Sequence, residues 1–152
     1  MLIYKLFSNP IKEKILKSPY FKEIKNYDLD QTISDAHKLS SIGSLVYGSP
    51  HPFICLLQKL ESLNVDNNTM LEKYHGALRE ENSTVIMFFV FYFRMTAKMK
   101  NEFNEIKKPL ENKKLLVKIV DENNESYSVT IKEVLNMLQS NKYVFGIFMK
   151  SI

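Results

Sequence analysis

The chain has 152 residues, 45% of them hydrophobic and 25% charged, with 21 Lys+Arg against 17 Asp+Glu, three histidines and one cysteine. A chain of this length buries roughly two thirds of its unfolded surface, which predicts a single domain over 1–152 that needs no metal or disulfide to hold it together, and the lone Cys55 excludes an intrachain disulfide framework or a cysteine-built zinc or iron–sulfur site; no cofactor is expected. The net charge of +4 divides into +2 over 1–63, 0 over 64–112 and +2 over 113–152, without the concentrated cationic face that nucleic-acid binding by phosphate neutralisation calls for.

In chain order, residues 2–7 read as a short strand. Ser8-Asn9-Pro10 starts a helix, Ile11 to Lys17, and Ser18-Pro19 stops it, because the residue before a proline is driven out of the helical region. Residues 20–27 fit strand or helix equally. From Asp30 as cap, Ile33, Ala36, His37, Leu39, Ile42, Leu45 and Val46 recur at three- and four-residue spacing, an amphipathic helix weakened at Gly43. Gly48-Ser49-Pro50-His51-Pro52 is a turn. Phe53 to Leu63 then carries an apolar stripe that sets Cys55 in or beside the core. After a polar loop over 64–68, Met70, Leu71, Tyr74, Ala77 and Leu78 share one face of a helix over 69–81, with Asn82 or Ser83 capping the next segment.

That segment, 84–108, is the most apolar. Val85 to Phe93 has the aromatic and β-branched content of a buried strand. Yet Phe88, Tyr92, Met95, Met99, Phe103 and Ile106 step by three and four, with neither glycine nor proline before Pro109, so the reading is one long central apolar helix. Beyond a lysine-rich linker the period changes. Leu115–Val120 and Tyr127–Ile131 are strands around a polar loop, Val134, Leu135 and Leu138 mark a short helix, and Tyr143–Met149 reads as a final strand in the middle of a small sheet. The expected class is therefore α+β: a helical body over 1–108 and a ββαβ unit over 113–152, with no internal repeat.

Catalytic signals are sparse. The chain has four glycines, at 43, 48, 76 and 146, too scattered for a phosphate-cradling loop. The carboxylate pairs Asp28/Asp30, Glu80/Glu81 and Asp121/Glu122 fall in turns or at helix ends. Cys55, among Phe53, Ile54, Leu56 and Leu57, lacks the cationic setting that makes a thiolate. Of His37, His51 and His75, none has metal-ligand spacing with another. His51, held between prolines, is the candidate general base or acid. Arg94, Lys98, Asn101 and Glu105 would form one polar stripe on the long helix, so Arg94, Lys98 and Asn101 are the candidate binding residues, with arginine's planar fork suited to carboxylate or phosphate. Tyr143, Phe145 and Phe148 are the nearest approach to a stacking platform for single-stranded nucleic acid.

The opening Leu2–Leu16 and the close Thr130–Phe148 resemble, in outline, small viral proteins that cleave cyclic oligoadenylate messengers. Those carry a Gly-His pair before a helix, whereas Gly48-Ser49 here precedes a displaced His51. Of 21 cations, 19 are lysine, and alanine occurs three times, a composition typical of AT-rich coding sequence. Together these features predict a non-enzymatic accessory or inhibitor protein that binds a protein partner, of the anti-defence type that phages and mobile elements encode. The alternative is a small nucleotide-directed enzyme, or a binder of a cyclic-oligonucleotide messenger, using His51 and a cationic groove. Nucleic-acid binding comes third. A homodimer through Val85–Phe93 is a further expectation. The nine-residue apolar run is too short to cross a bilayer as a helix and no secretory signal opens the sequence, so the expected location is the cytoplasm, that of the host for a viral source.

Overall fold

Helix starts are fixed by side chains that accept the otherwise unpaired first N–H groups. Asp28 and Gln31 form a reciprocal capping box, as do Thr130 and Glu133, and Asp66, Asn82 and His51 cap three further helices. In a computed structural model, which describes residues 6–152, the order is α1 (Asn9–Lys17), α2 (Pro19–Glu23), α3 (Leu29–His37), β1 (Leu45–Val46), β2 (Ser49–Pro50), α4 (Pro52–Ser62), α5 (Asn67–Glu80), α6 (Ser83–Thr96), α7 (Lys100–Lys107), a 3-10 turn (Lys108–Leu110), β3 (Leu116–Val120), β4 (Ser126–Thr130), α8 (Ile131–Ser140), β5 (Tyr143–Val144) and β6 (Ile147–Phe148). The class is α+β. Most of the strand expected over 2–7 lies outside the described residues.

The core is built on α4 and α6. Every residue from Val85 to Phe91 is fully buried, as are Phe53 to Leu57. Phe53 meets Phe88 and Phe91 edge to face, with centroids 6.3 and 5.4 Å apart. Burying each such side chain contributes about 1.5–3 kcal/mol, which overrides the strand propensity of Val85–Phe93 and makes it helix.

Three expectations need correction. The helix expected to run from Asp30 to Val46 ends at His37. Beyond it, Ile42 donates its N–H to Lys118 O and accepts from the N–H of Val120, both at 2.9 Å. This parallel bridge to β3 uses Ile42 as an edge residue, and Leu45 and Val46 form β1 of a hairpin. The long helix 84–108 is two helices. Ala97 (ψ 137°) and Met99 (ψ 150°) are extended, and Glu102 accepts the N–H of Lys98 at 3.0 Å, supporting the new start. The apolar repeat crosses this break only because α7 turns back to bury Phe103 and Ile106, leaving Met99 59% exposed. Finally, the closing ββαβ sheet does not form. β3 pairs with β4 antiparallel, Leu116 opposite Thr130 and Val120 opposite Ser126, but β5 pairs only with β6. Phe145 and Gly146, both at positive φ, fold the apolar run 143–149 back on itself, so what reads as one strand is a hairpin.

Candidate interaction site

Two of the hairpins share a turn with an uncommon residue at its first position. At their tips stand Tyr47-Gly48 (φ 50° and 78°) and Phe145-Gly146 (φ 50° and 80°), the pattern of a two-residue type I′ turn, whose backbone twist matches the right-handed twist of the strands it joins. Glycine takes this backbone freely. An aromatic residue does not, at a cost of about 1 kcal/mol or more. Neighbouring hydrogen bonds hold it: the N–H of Tyr47 donates to Glu122 O at 2.8 Å, and that of His51 to Ser44 O at 2.7 Å. The first hairpin is thereby tied to the loop between β3 and β4. In that loop Asp121 Oδ1 accepts from the N–H groups of Asn123 and Glu125, each at 2.9 Å.

The three hairpins converge on a cleft of about 310 Å³, lined by Leu45, Asp121, Glu122, Tyr127, Phe145 and Gly146 among others. Partial burial and then the negative charge of Asp121 push the Tyr127 phenol above its ordinary pKa. At the tip of the first hairpin Tyr47 is 74% exposed. Elsewhere on the β5–β6 hairpin, Tyr143 and Phe148 lie against each other with centroids 5.6 Å apart and are both exposed. Phe145 does not join them; it faces the cleft.

His51 stands behind this face as the cap of α4. Its Nδ1 accepts the N–H of Phe53 at 3.0 Å, so the ring proton is on Nε2, 3.3 Å from the Ser41 hydroxyl that accepts it. Burial holds its pKa down at about 4, so the ring is neutral at neutral pH. The nitrogen that a general base would use is occupied by the helix backbone. Gly43 makes this packing possible: a Cβ there would lie 3.0 Å from Val120 O and 3.2 Å from His51 Cδ2.

The expected stripe of Arg94, Lys98 and Asn101 is not assembled. Arg94 is 3% exposed. Its Nε donates to Leu138 O and its Nη2 to Lys150 O, each at 2.7 Å, which ties α6 to the end of α8 and to the C-terminal segment. Lys98 lies in the non-helical break, Asn101 in the first turn of α7, and both are exposed. Burial, then the charge of Arg94, lower the pKa of Lys150. Cys55 is fully buried and its thiol is pushed up to about 11 by that burial. The exposed His37 bridges Ile33 O at 2.9 Å and Glu80 at 2.8 Å. Partial burial pulls its pKa down, but these partners outweigh it and the net direction is up. His75 stacks on Tyr74. No helix among the described residues is long and apolar enough to cross a membrane.

The sequence profile of the PRP38 family matches residues 4–152. The chain belongs to the PRP38 family. No curated protein matches the sequence. Among solved structures, a chain of the crystal structure of the Snu23–Prp38–MFAP1(217–258) complex of Chaetomium thermophilum shares the fold of this PRP38-family chain. The TM-score is 0.83 at 19% identity, covering 97% of this chain and 76% of that one. These findings overturn the expectation of a phage or viral anti-defence inhibitor. The lysine-rich, alanine-poor composition behind that expectation reports on the base content of a coding sequence and carries no information about the task of the folded product. In the sequence Phe145 reads as part of a stacking platform, Glu122 as a turn carboxylate and Tyr127 as a strand residue, and nothing there brings the three together in one cleft. The one available signal concerns Phe145: Val46-Tyr47-Gly48 and Val144-Phe145-Gly146 each set an aromatic before glycine inside an apolar run, which marks a hairpin tip and not a strand interior.

Proposed function

We propose that this PRP38-family chain is a protein-binding scaffold of a splicing assembly. The observation that carries the reading is the family match over residues 4–152, joined to a fold shared with a chain crystallised together with other proteins. The surface agrees with that role. Tyr47, Met99, Leu116, Tyr127, Tyr143 and Phe148 are large apolar side chains left exposed, and aromatic side chains are the residue types that anchor protein interfaces. The residues that chemistry could have recruited hold backbone instead: buried Arg94 bonds α8 and the C-terminal segment, and half-buried His51 caps the start of α4.

Purification of the tagged chain from its native cells tests this. Splicing proteins should co-purify, and depletion of the chain should cause introns to be retained in a reporter transcript. A chain that purifies free of splicing proteins, and whose depletion leaves the reporter spliced, refutes the reading.

A further inference from the structure

We propose that the three-hairpin cleft receives an arginine side chain carried on an extended segment of a partner protein. The inference rests on the protein-binding role and specifies the chemistry of one contact. Asp121 and Glu122 line the cleft beside Tyr127 and Phe145, and among the described residues the lining holds no lysine, arginine or histidine. Five ion pairs form elsewhere among the described residues, and none involves Asp121 or Glu122. Asp121 is engaged through Oδ1 in holding its loop, whereas Glu122 takes part in that network through its backbone oxygen, so its carboxylate is available to a ligand.

The cleft thus joins aromatic faces to uncompensated negative charge. A cation over an aromatic ring is attracted by the ring quadrupole, and guanidinium adds a planar fork that fits a carboxylate while its flat face stacks. The volume, about 310 Å³, is at the small end of ligand sites; it admits one long side chain with adjoining backbone. A phosphate would meet two carboxylates without a cation. A purely apolar segment would desolvate them without compensation. The strained tip Phe145-Gly146 in the cleft wall also favours a ready-made receptor, because Phe145 is positioned by backbone already locked before a ligand arrives.

The probe is a fluorescein-labelled peptide, acetylated, of alternating valine and arginine, compared with the same peptide carrying citrulline, the neutral isostere, in place of arginine. With the full chain labelled with nitrogen-15, the arginine peptide should shift the amide signals of Tyr127, Phe145 and Gly146. The citrulline peptide should bind about fivefold or more weaker, and raising NaCl from about 50 to 300 mM should weaken the arginine peptide about threefold or more. Glu122→Gln should weaken it about fivefold with an unchanged melting temperature, since that carboxylate forms no ion pair among the described residues. Tyr127→Ala should do the same, with circular dichroism checking that it folds.

Equal binding of citrulline, shifts confined to other surfaces, or no shift at millimolar peptide overturns the proposal. So does a self-association or a single-stranded oligonucleotide that moves the cleft amides where the peptide does not. The two readings fail separately. Absent peptide binding with splicing proteins still co-purifying overturns the arginine cleft alone, whereas peptide binding without any splicing protein overturns the assembly role alone.

Discussion

Replacing His51 with asparagine should keep α4 in place while removing a pH-dependent loss of stability. The imidazole caps α4 through Nδ1, 3.0 Å from the N–H of Phe53, and an asparagine side-chain oxygen can accept the same bond. Burial lowers the pKa of His51 from 6.5 to about 4 in the folded chain. Between those values the unfolded chain binds the proton more readily. The contribution of the neutral ring is therefore intact above pH 6.5 and is lost progressively as pH falls toward 4. At about 1.4 kcal/mol per pH unit, the full loss is on the order of 3 kcal/mol. His37 and Glu61 work in the opposite sense, since both have raised folded values and gain relative stability as pH falls. Because wild type and variant share them, the difference between the two proteins isolates His51. Urea unfolding at pH 7, 6, 5 and 4.5 should show H51N less stable by about 1 kcal/mol at pH 7, from lost packing and the lost bond to Ser41, and more stable than wild type at pH 4.5. A difference that stays constant within about 0.5 kcal/mol over that range would refute the assignment of a neutral, capping imidazole.

Arg94→Ala removes two charged hydrogen bonds to Leu138 O and Lys150 O, each 2.7 Å, and should cost about 3–5 kcal/mol, a fall of about 10 °C in melting temperature; a loss under about 1 kcal/mol would show that these bonds are replaced by water. Gly43→Ala forces a methyl against Val120 O at 3.0 Å and the His51 ring at 3.2 Å, and should cost about 1–3 kcal/mol, with amide shifts on β3 and at the start of α4 as the local readout; an unchanged unfolding midpoint would argue against the close approach. Cys55, buried with its thiol pushed up to about 11, should react with a chromogenic disulfide reagent at pH 8 only as fast as the chain opens, and rapid labelling of the native protein would place it outside the core.

The helices were legible where local chemistry and packing agree. Phe53–Leu63 and 69–81 show both an apolar stripe and a nearby cap, and α4 and α5 match them to within two residues at each end. Legibility failed where tertiary contacts decide. The step pattern through Met95, Met99 and Phe103 is as good as any in the chain, but it does not reveal that α7 turns so that the Tyr74 hydroxyl can donate to Ile106 O at 2.7 Å. Ile42 fits helical spacing too; its real partner is β3, 76 residues farther on at the Lys118 carbonyl, a pairing no local window contains. The site was less legible than the fold. Arg94 drew notice by being one of two arginines, and its rarity reflected a buried fastening role. That Phe145, Glu122 and Tyr127 share one cleft is not readable locally, because no two of the three loops that supply them are close in sequence.

The aromatic tips connect the fold to its surface. For the turn alone, Asn-Gly would be the better sequence at both hairpins, since asparagine tolerates the left-handed region and tyrosine or phenylalanine does not. Tyr47 gains little from packing to offset the strain, being largely exposed. Phe145, half-buried at the cleft wall, recovers part of it. Two independent turns carrying the same unfavourable residue class, one beside the β3–β4 loop through the Tyr47–Glu122 bond and the other lining the cleft, point to a cost borne for what the side chains do outside the fold. Residues that only terminate strands have no reason to be aromatic. Residues that must present flat, rigid apolar faces to a partner do, and a locked backbone holds those faces in place at little entropic cost on binding.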